Sequence, residues 1–278
     1  MLKNKVAVIT GGGGVLCRAF ALALAEKGVR VALLDLNAAA AESVAEEIRA
    51  RGGDAIGVTV NVLDKASLIN AKEAVEKAFG TCDILINGAG GNHPKGTTTK
   101  DYLYPKDLTQ AEESVKTFFD LDQDGISFVF NLNFLGALLT TQVFAASMVD
   151  KEGATVINVS SMNAFTPLTR IPAYSGAKAA VSNLTQWLAV HFCKVGIRVN
   201  AIAPGFFLTN QNRGLLLQED GSWSARAEKI LSQTPMGRFG APEELNGTLL
   251  WLADNEVSGF VNGVVVPVDG GFSAYSGV

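Results

Sequence analysis

Tyr174 and Lys178 stand four positions apart in "AYSGAKAAV", within a stretch of helical apolar spacing. Side chains four apart share one face of a helix, so a phenol and an ammonium are set side by side. A free phenol has a pKa near ~10 and is about one part in a thousand ionised at pH 7. A cation ~4 Å away contributes roughly 4 kcal/mol at an effective dielectric of ~20, a lowering of about three pKa units before desolvation is counted. The pair therefore predicts a group that takes or gives a proton near neutral pH, as hydride exchange between an alcohol and a carbonyl requires. Ser161 ends the run "INVSS" upstream of the pair. Alone it reads equally as a strand-end cap, and Tyr-x-x-x-Lys alone is common.

A second chemical feature opens the chain. "VAVITGGGGVLCRAF" runs from an apolar strand through four glycines into a helical pattern, the form of a phosphate-binding turn. Gly11, Gly12, Gly13 and Gly14 supply enough freedom to complete that turn by residue 14. Val15, Leu16 and Ala19 are then expected in the first helical turns, facing sheet or cofactor. A left-handed backbone at a β-branched residue costs roughly 1–2 kcal/mol, so Val15 is not expected to adopt one. Asp35 ends "VALLDLN" about 20 residues on, where a carboxylate accepts hydrogen bonds from a ribose and repels a 2′-phosphate. NAD is expected over NADP, with Arg18 on a solvated helix face. Asn61 follows the third strand, where its amide can pair with adenine.

The elements that must carry these groups follow from the apolar pattern. Strands are expected at residues 6–10, 29–34, 56–60, 84–86, 156–159, 199–203 and 264–268. Most are apolar throughout, as strands buried on both faces are. Helical patterns such as "AAAAESVAEEIRAR" fill the gaps. The expected fold is α/β, a doubly wound parallel sheet of about seven strands (a Rossmann fold), as one domain over residues 1–278. Two segments are too long for ordinary connections: an insertion at 91–124 and a loop at 206–240. Both follow strand ends, where ligands bind in this fold. A capping box of Thr109 and Glu112 predicts a short helix in the insertion, and Pro242 a helix start after the loop.

Composition limits the function classes. The chain has 278 residues, 48% of them hydrophobic and 18% charged, so a sizeable core is expected. A net charge of −4 without any Lys/Arg run argues against a nucleic-acid partner. No uninterrupted apolar run approaches the ~18 residues that span a bilayer, and "MLKNKVAVIT" enters a strand at once. Cys17, Cys82 and Cys193 are odd in number and scattered. These features predict a reduced cytoplasmic protein without membrane partners. His93 and His191 have no zinc-ligand spacing, so no metal is expected.

Seven stretches in order carry a resemblance: "TGGGG", "INGAG", "NFLG", "NVSS", "YSGAK", "RVNAIAPGFFLT" and "VDGG". Over nearly its whole length the chain resembles the short-chain dehydrogenase/reductase family. The first stretch departs from the family spacing, because Val15 and Cys17 stand where its second and third glycines belong. The resemblance implies an enzyme with Asn133, Ser161, Tyr174 and Lys178 as its catalytic tetrad. Ser161 would hold the substrate oxygen and Asn133 a water in a proton relay. It implies cofactor contacts from Gly11, Gly13, Gly14, Val15, Leu16, Asp35, Asn61, Val62, Asn87, Gly88 and Ala89 toward the adenosine half. Tyr174, Lys178, Pro204, Gly205, Phe207 and Thr209 would serve the nicotinamide half. Many relatives form dimers or tetramers, so a homo-oligomer, expected as a homotetramer, is implied.

Within the family, "GGNHPKGTTTKDY", "TPLTRIPAYSGAKAAVSN" and "APGFFLTNQNR" resemble the D-mannonate oxidoreductase (fructuronate reductase) group. A hexonate needs a cation for its carboxylate and several partners for its hydroxyls. Arg213 and Arg170 are the expected carboxylate partners, with His93 behind them and Lys95, Asn210 and Gln211 nearby. A dehydrogenase of another polyol or of a gluconate-like compound is the alternative. A non-catalytic NAD-binding sensor is a third reading, against which both Tyr174 and Lys178 stand.

Overall fold

The computed structural model describes residues 2–109, 114–209 and 213–277. Seven strands form one sheet in which every pair is parallel: β1 (Val6–Thr10), β2 (Arg30–Asp35), β3 (Ala55–Thr59), β4 (Ile84–Asn87), β5 (Thr155–Val159), β6 (Arg198–Pro204) and β7 (Val265–Val268). Their order is β3-β2-β1-β4-β5-β6-β7. The order reverses between β1 and β4, and a crevice opens there at the carboxyl ends of the strands. Each expected strand is present, with its ends within one residue of those expected.

Both faces of the sheet are covered, which is why the strands are apolar without alternation. Within β1, Ala7 and Ile9 pack into one core with Phe20, Leu24, Val44 and Ile48. Val6 and Val8 pack into the other with Leu68, Val75, Phe144 and Leu188. The first core belongs to α1 (Val15–Glu26) and α2 (Ala38–Ala50), and the second to α3 (Lys65–Phe79), α4 (Gln123–Ala145) and α5 (Pro172–His191). Asn37 and Asp64 cap α2 and α3, accepting from the amides of Ala40 at 3.2 Å and Ala66 at 2.9 Å. By length and composition α4 is apolar enough to cross a bilayer, yet half of its apolar window is buried in the fold.

The two excursions are partly ordered. In the insertion, Thr109 does not start a helix. It ends the short helix Pro105–Thr109, its hydroxyl 3.3 Å from the Pro105 carbonyl oxygen. Glu112, its expected partner, lies outside the described residues. A capping box does occur at Thr117 and Asp120, at the turn Phe118–Asp120. In the loop at 206–240, helix α6 (Ala225–Ser232) is capped by Ser224. Pro242 opens a turn that leads into α7 (Asn246–Ala253), as its position predicts.

Candidate active site

The glycine turn is complete one residue before Val15. Only Gly11 of its four glycines has a positive φ, +66°. A Cβ there would lie 3.0 Å from the backbone of Ala89, so both conformation and close approach demand glycine. The Gly14 amide donates to the Gly11 carbonyl at 2.9 Å, and Gly14 is the N-cap of α1. Val15 and Cys17 are helical residues and need no glycine backbone. Amides of the first helical turn remain available to an anion. Asp35 completes the turn from the next strand, its Oδ2 accepting from Gly13 N at 3.0 Å and its Oδ1 from Asn37 N at 2.9 Å.

Cys17 packs against a glycine of another strand end. A Cβ on Gly88 would fall 2.3 Å from the Cys17 Sγ. Gly88 therefore leaves the room that Cys17 fills. Burial pushes this thiol up to about 12, with the nearby Asp35 charge acting in the same direction.

A groove of about 1060 Å³ runs along these residues. Gly11, Gly14, Val15, Leu16, Asp35, Asn61, Val62, Gly88 and Ala89 line it, as expected. Cys17, Leu36, Gly90, Leu132 and Val159 also line it, and the motif reading did not include them. Gly90 carried a signal, since "INGAGG" continues past the alanine. Leu132 carried none, because helical apolar spacing marks core as readily as groove. Asn61 accepts from Leu63 N at 3.0 Å. Gly13 is a packing residue whose Cβ would meet that of Ala40 at 2.5 Å.

Asn87 is not at the groove. It is buried in β4, donating from Nδ2 to Thr141 Oγ1 at 2.9 Å and to Asn158 Oδ1 at 2.8 Å. Its place in the motif reflects a polar tie through the core. Pro204 ends β6 beside β7 and Gly205 follows it, where a Cβ would sit 2.5 Å from Asp269 Cα. Phe207 packs on Gly240 and lines a separate cavity of about 410 Å³ with Arg238 and Asp269. Thr209 is half-buried where the described chain pauses.

Two of the four expected catalytic residues, Asn133 and Lys178, meet at Gly90. A Cβ there would lie 2.5 Å from Asn133 Oδ1 and 3.1 Å from Lys178 Nζ. Lys178 is 4% exposed, lies 5.6 Å from the centroid of the Tyr174 ring and donates to Val159 O at 2.8 Å. Burial lowers its pKa to about 8. Tyr174 is shifted upward by burial, while an interaction with the Ser161 side chain acts against the shift. Desolvation is the larger of these two influences on the phenol.

Ser161 caps the turn Met162–Ala164, accepting from Asn163 N at 3.2 Å, and it reaches Tyr174. Ser160 instead contacts Ser182 and the Lys178 carbonyl. Asn133 occupies a π-helical turn, Asn131–Leu135, inside α4. Its Nδ2 donates to Gly91 O at 2.7 Å and Val129 O at 2.8 Å, and its Oδ1 accepts from Gly91 N at 3.2 Å. Such single π-turns occur frequently at functional sites.

The expected substrate cations are differently placed. Arg170 is committed to Asp101, with Nε 2.5 Å from Oδ1. Its Nε is thus engaged within the protein. His93 caps a turn, Nδ1 accepting from Lys95 N at 3.2 Å, with its ring 5.2 Å from that of Phe128. The side chain of Arg213, like Asn210 and Gln211, lies outside the described residues. Arg18 pairs with Glu47 through two contacts of 2.6 and 2.7 Å. Among the described residues, no group of His, Cys, Asp and Glu could hold a metal ion.

Known proteins fit this arrangement. A family model described as short chain dehydrogenase matches residues 5–220. An uncharacterised oxidoreductase of Haemophilus influenzae is 61% identical over 277 residues, covering 100% of this chain and 96% of its own length. The uncharacterised oxidoreductase UxuB of Bacillus subtilis is 53% identical over 279 residues, covering 100% of this chain and 98% of its own. A crystal structure from Haemophilus influenzae with bound NAD, of a protein provisionally assigned as a D-mannonate oxidoreductase, superposes with a TM-score of 0.95. That protein is 60% identical, and the match covers 100% of this chain and 98% of the other.

Proposed function

Because the chain belongs to the short-chain dehydrogenase family and is an oxidoreductase by that membership, we propose that it transfers hydride between NAD and a sugar acid, D-mannonate or its keto form D-fructuronate. The observation that carries this reading is the meeting of Asn133, Lys178 and Gly90 beside Tyr174, at the end of a groove that also contains Asp35. NAD is favoured by Asp35, whose carboxylate would oppose a 2′-phosphate, and by the engagement of Arg18 with Glu47. The NAD held by the 60% identical structure supports the same choice.

The groove fits such a cofactor. Gly11 admits close backbone approach, the start of α1 offers amides to a pyrophosphate, and Asp35 offers a carboxylate to a ribose. When bound, NAD supplies the ring that accepts or returns hydride. The chain's own residues handle the proton. In oxidation the Tyr174 oxygen removes the hydroxyl proton of the substrate, and in reduction it delivers one. Ser161 orients the substrate oxygen. Lys178 holds the phenol side of the site cationic, and Asn133 fixes the Gly91 backbone beside it. Arg213 is the remaining candidate for the substrate carboxylate.

A panel of D-mannonate, D-gluconate and neutral polyols, each with NAD⁺ or NADP⁺ and followed by absorbance of the reduced cofactor, tests the reading. D-mannonate with NAD⁺ is expected to give the highest kcat/KM. Turnover confined to neutral polyols would replace it with the alternative that the engagement of Arg170 by Asp101 favours. We also propose a homo-oligomer, dimer or tetramer, supported by exposed Trp187 and Val190 on α5 and Phe260 before β7. A reducing cytoplasmic setting fits its three free thiols.

A further inference from the structure

Asp101 lies in the insertion, yet its partners come from two other segments. Its Oδ1 accepts from Arg170 Nε at 2.5 Å and from Thr169 Oγ1 at 3.1 Å. Its Oδ2 accepts from Lys229 Nζ in α6. These partners are 69, 68 and 128 positions away in sequence. A backbone bond reinforces the first connection, with Thr98 N donating to Arg170 O at 2.8 Å.

Arg170 is itself unusual. Its φ is +73°, one of three positive values at non-glycine residues among the described residues. A left-handed arginine persists only where its surroundings over-determine it. Here the guanidinium and the carbonyl are both fastened to the insertion. Arg170 also immediately precedes Ile171, the N-cap of the helix that carries Tyr174 and Lys178. Exposed ion pairs contribute little to stability one at a time. A single carboxylate shared by two cations from different segments instead specifies geometry.

We propose that Asp101 is a positioning residue, a clasp that joins the insertion to the loop at 206–240 and fixes the entry of α5. The link to catalysis rests on the reading that these two excursions wall the substrate site. The clasp itself does not.

The test is Asp101→Asn in the full chain, with three readouts. In hydrogen–deuterium exchange without ligand, segments 95–102 and 225–232 are expected to exchange about fivefold faster or more, with β1 and β5 unchanged. Lys229→Ala should loosen 225–232 alone. With D-mannonate as the probe, KM is expected to rise about tenfold while kcat stays within about threefold, and NAD affinity holds. Asp101→Glu should restore part of both effects. Exchange unchanged in both segments overturns the clasp, as does exchange raised equally in β1 and β5. If the unaltered protein does not turn over D-mannonate, the substrate reading fails, while the exchange result still decides the clasp.

Discussion

Lys178 is held where its charge is costly. Its pKa falls from 10.5 to about 8 by burial, so the folded state binds that proton more weakly than the unfolded chain. The sign follows from linkage: the penalty is full below pH 8 and is relieved as pH rises toward 10.5. A shift of this size corresponds to about 3 kcal/mol. Urea unfolding of the unaltered protein and of Lys178→Met should therefore converge or cross by roughly that amount between pH 7 and pH 11, in favour of the lysine at high pH. Tyr174 leads to a second expectation. Burial favours its neutral form, so its base form is scarce at neutral pH. The kcat/KM of alcohol oxidation should climb from pH 7 to beyond pH 10, whereas carbonyl reduction, which needs the phenol proton, should hold through pH 10 and decline only above it. Tyr174→Phe should lower kcat by about 10²–10⁴-fold with NAD affinity kept. Spacing singled out the pair, and the family resemblance added Ser161 and Asn133. Neither could supply the direction of the phenol shift, because desolvation depends on which residues from distant segments close over the ring.

The glycine turn and α4 divide what local sequence discloses from what it conceals. Four consecutive glycines and a β-branched Val15 were enough to predict a turn finished by residue 14, since backbone cost is a local quantity. The strands were legible for the same reason: an apolar run without alternation has few other homes. Partner choice was not legible. Nothing near Cys17 in sequence says that Gly88 must stay small, because they meet only when β1 and β4 lie side by side. Gly88→Ala would place a methyl group 2.3 Å from Cys17 Sγ and 2.7 Å from Thr10 O. We expect a loss of about 1–3 kcal/mol in denaturant unfolding, partly recovered by adding Cys17→Gly. The π-turn at Asn131–Leu135 likewise has no local signature, as "NLNFL" reads as ordinary helix. Asn87 misled for the converse reason: a motif records that a residue matters, whether for ligand or for core.

The molecule as a whole leaves large apolar side chains uncovered. Trp187 is 57% exposed, Val190 is 76% exposed and Phe260 projects fully into solvent. Such residues are normal singly, but Trp187 and Val190 stand on the same helix. Light scattering after size exclusion should give a dimer or tetramer for the unaltered protein and a smaller species for Trp187→Glu. The distribution of sulfur has a practical corollary. Cys17 and Cys82 are buried with their thiols pushed up to about 12, while Cys193 is exposed beyond the end of α5. Because a thiolate is the attacking species, an aromatic disulfide reagent at neutral pH should titrate one equivalent per chain natively and three in guanidinium. Cys193 is thus a ready-made attachment point for a fluorophore or spin label, needing no prior mutation of its two siblings.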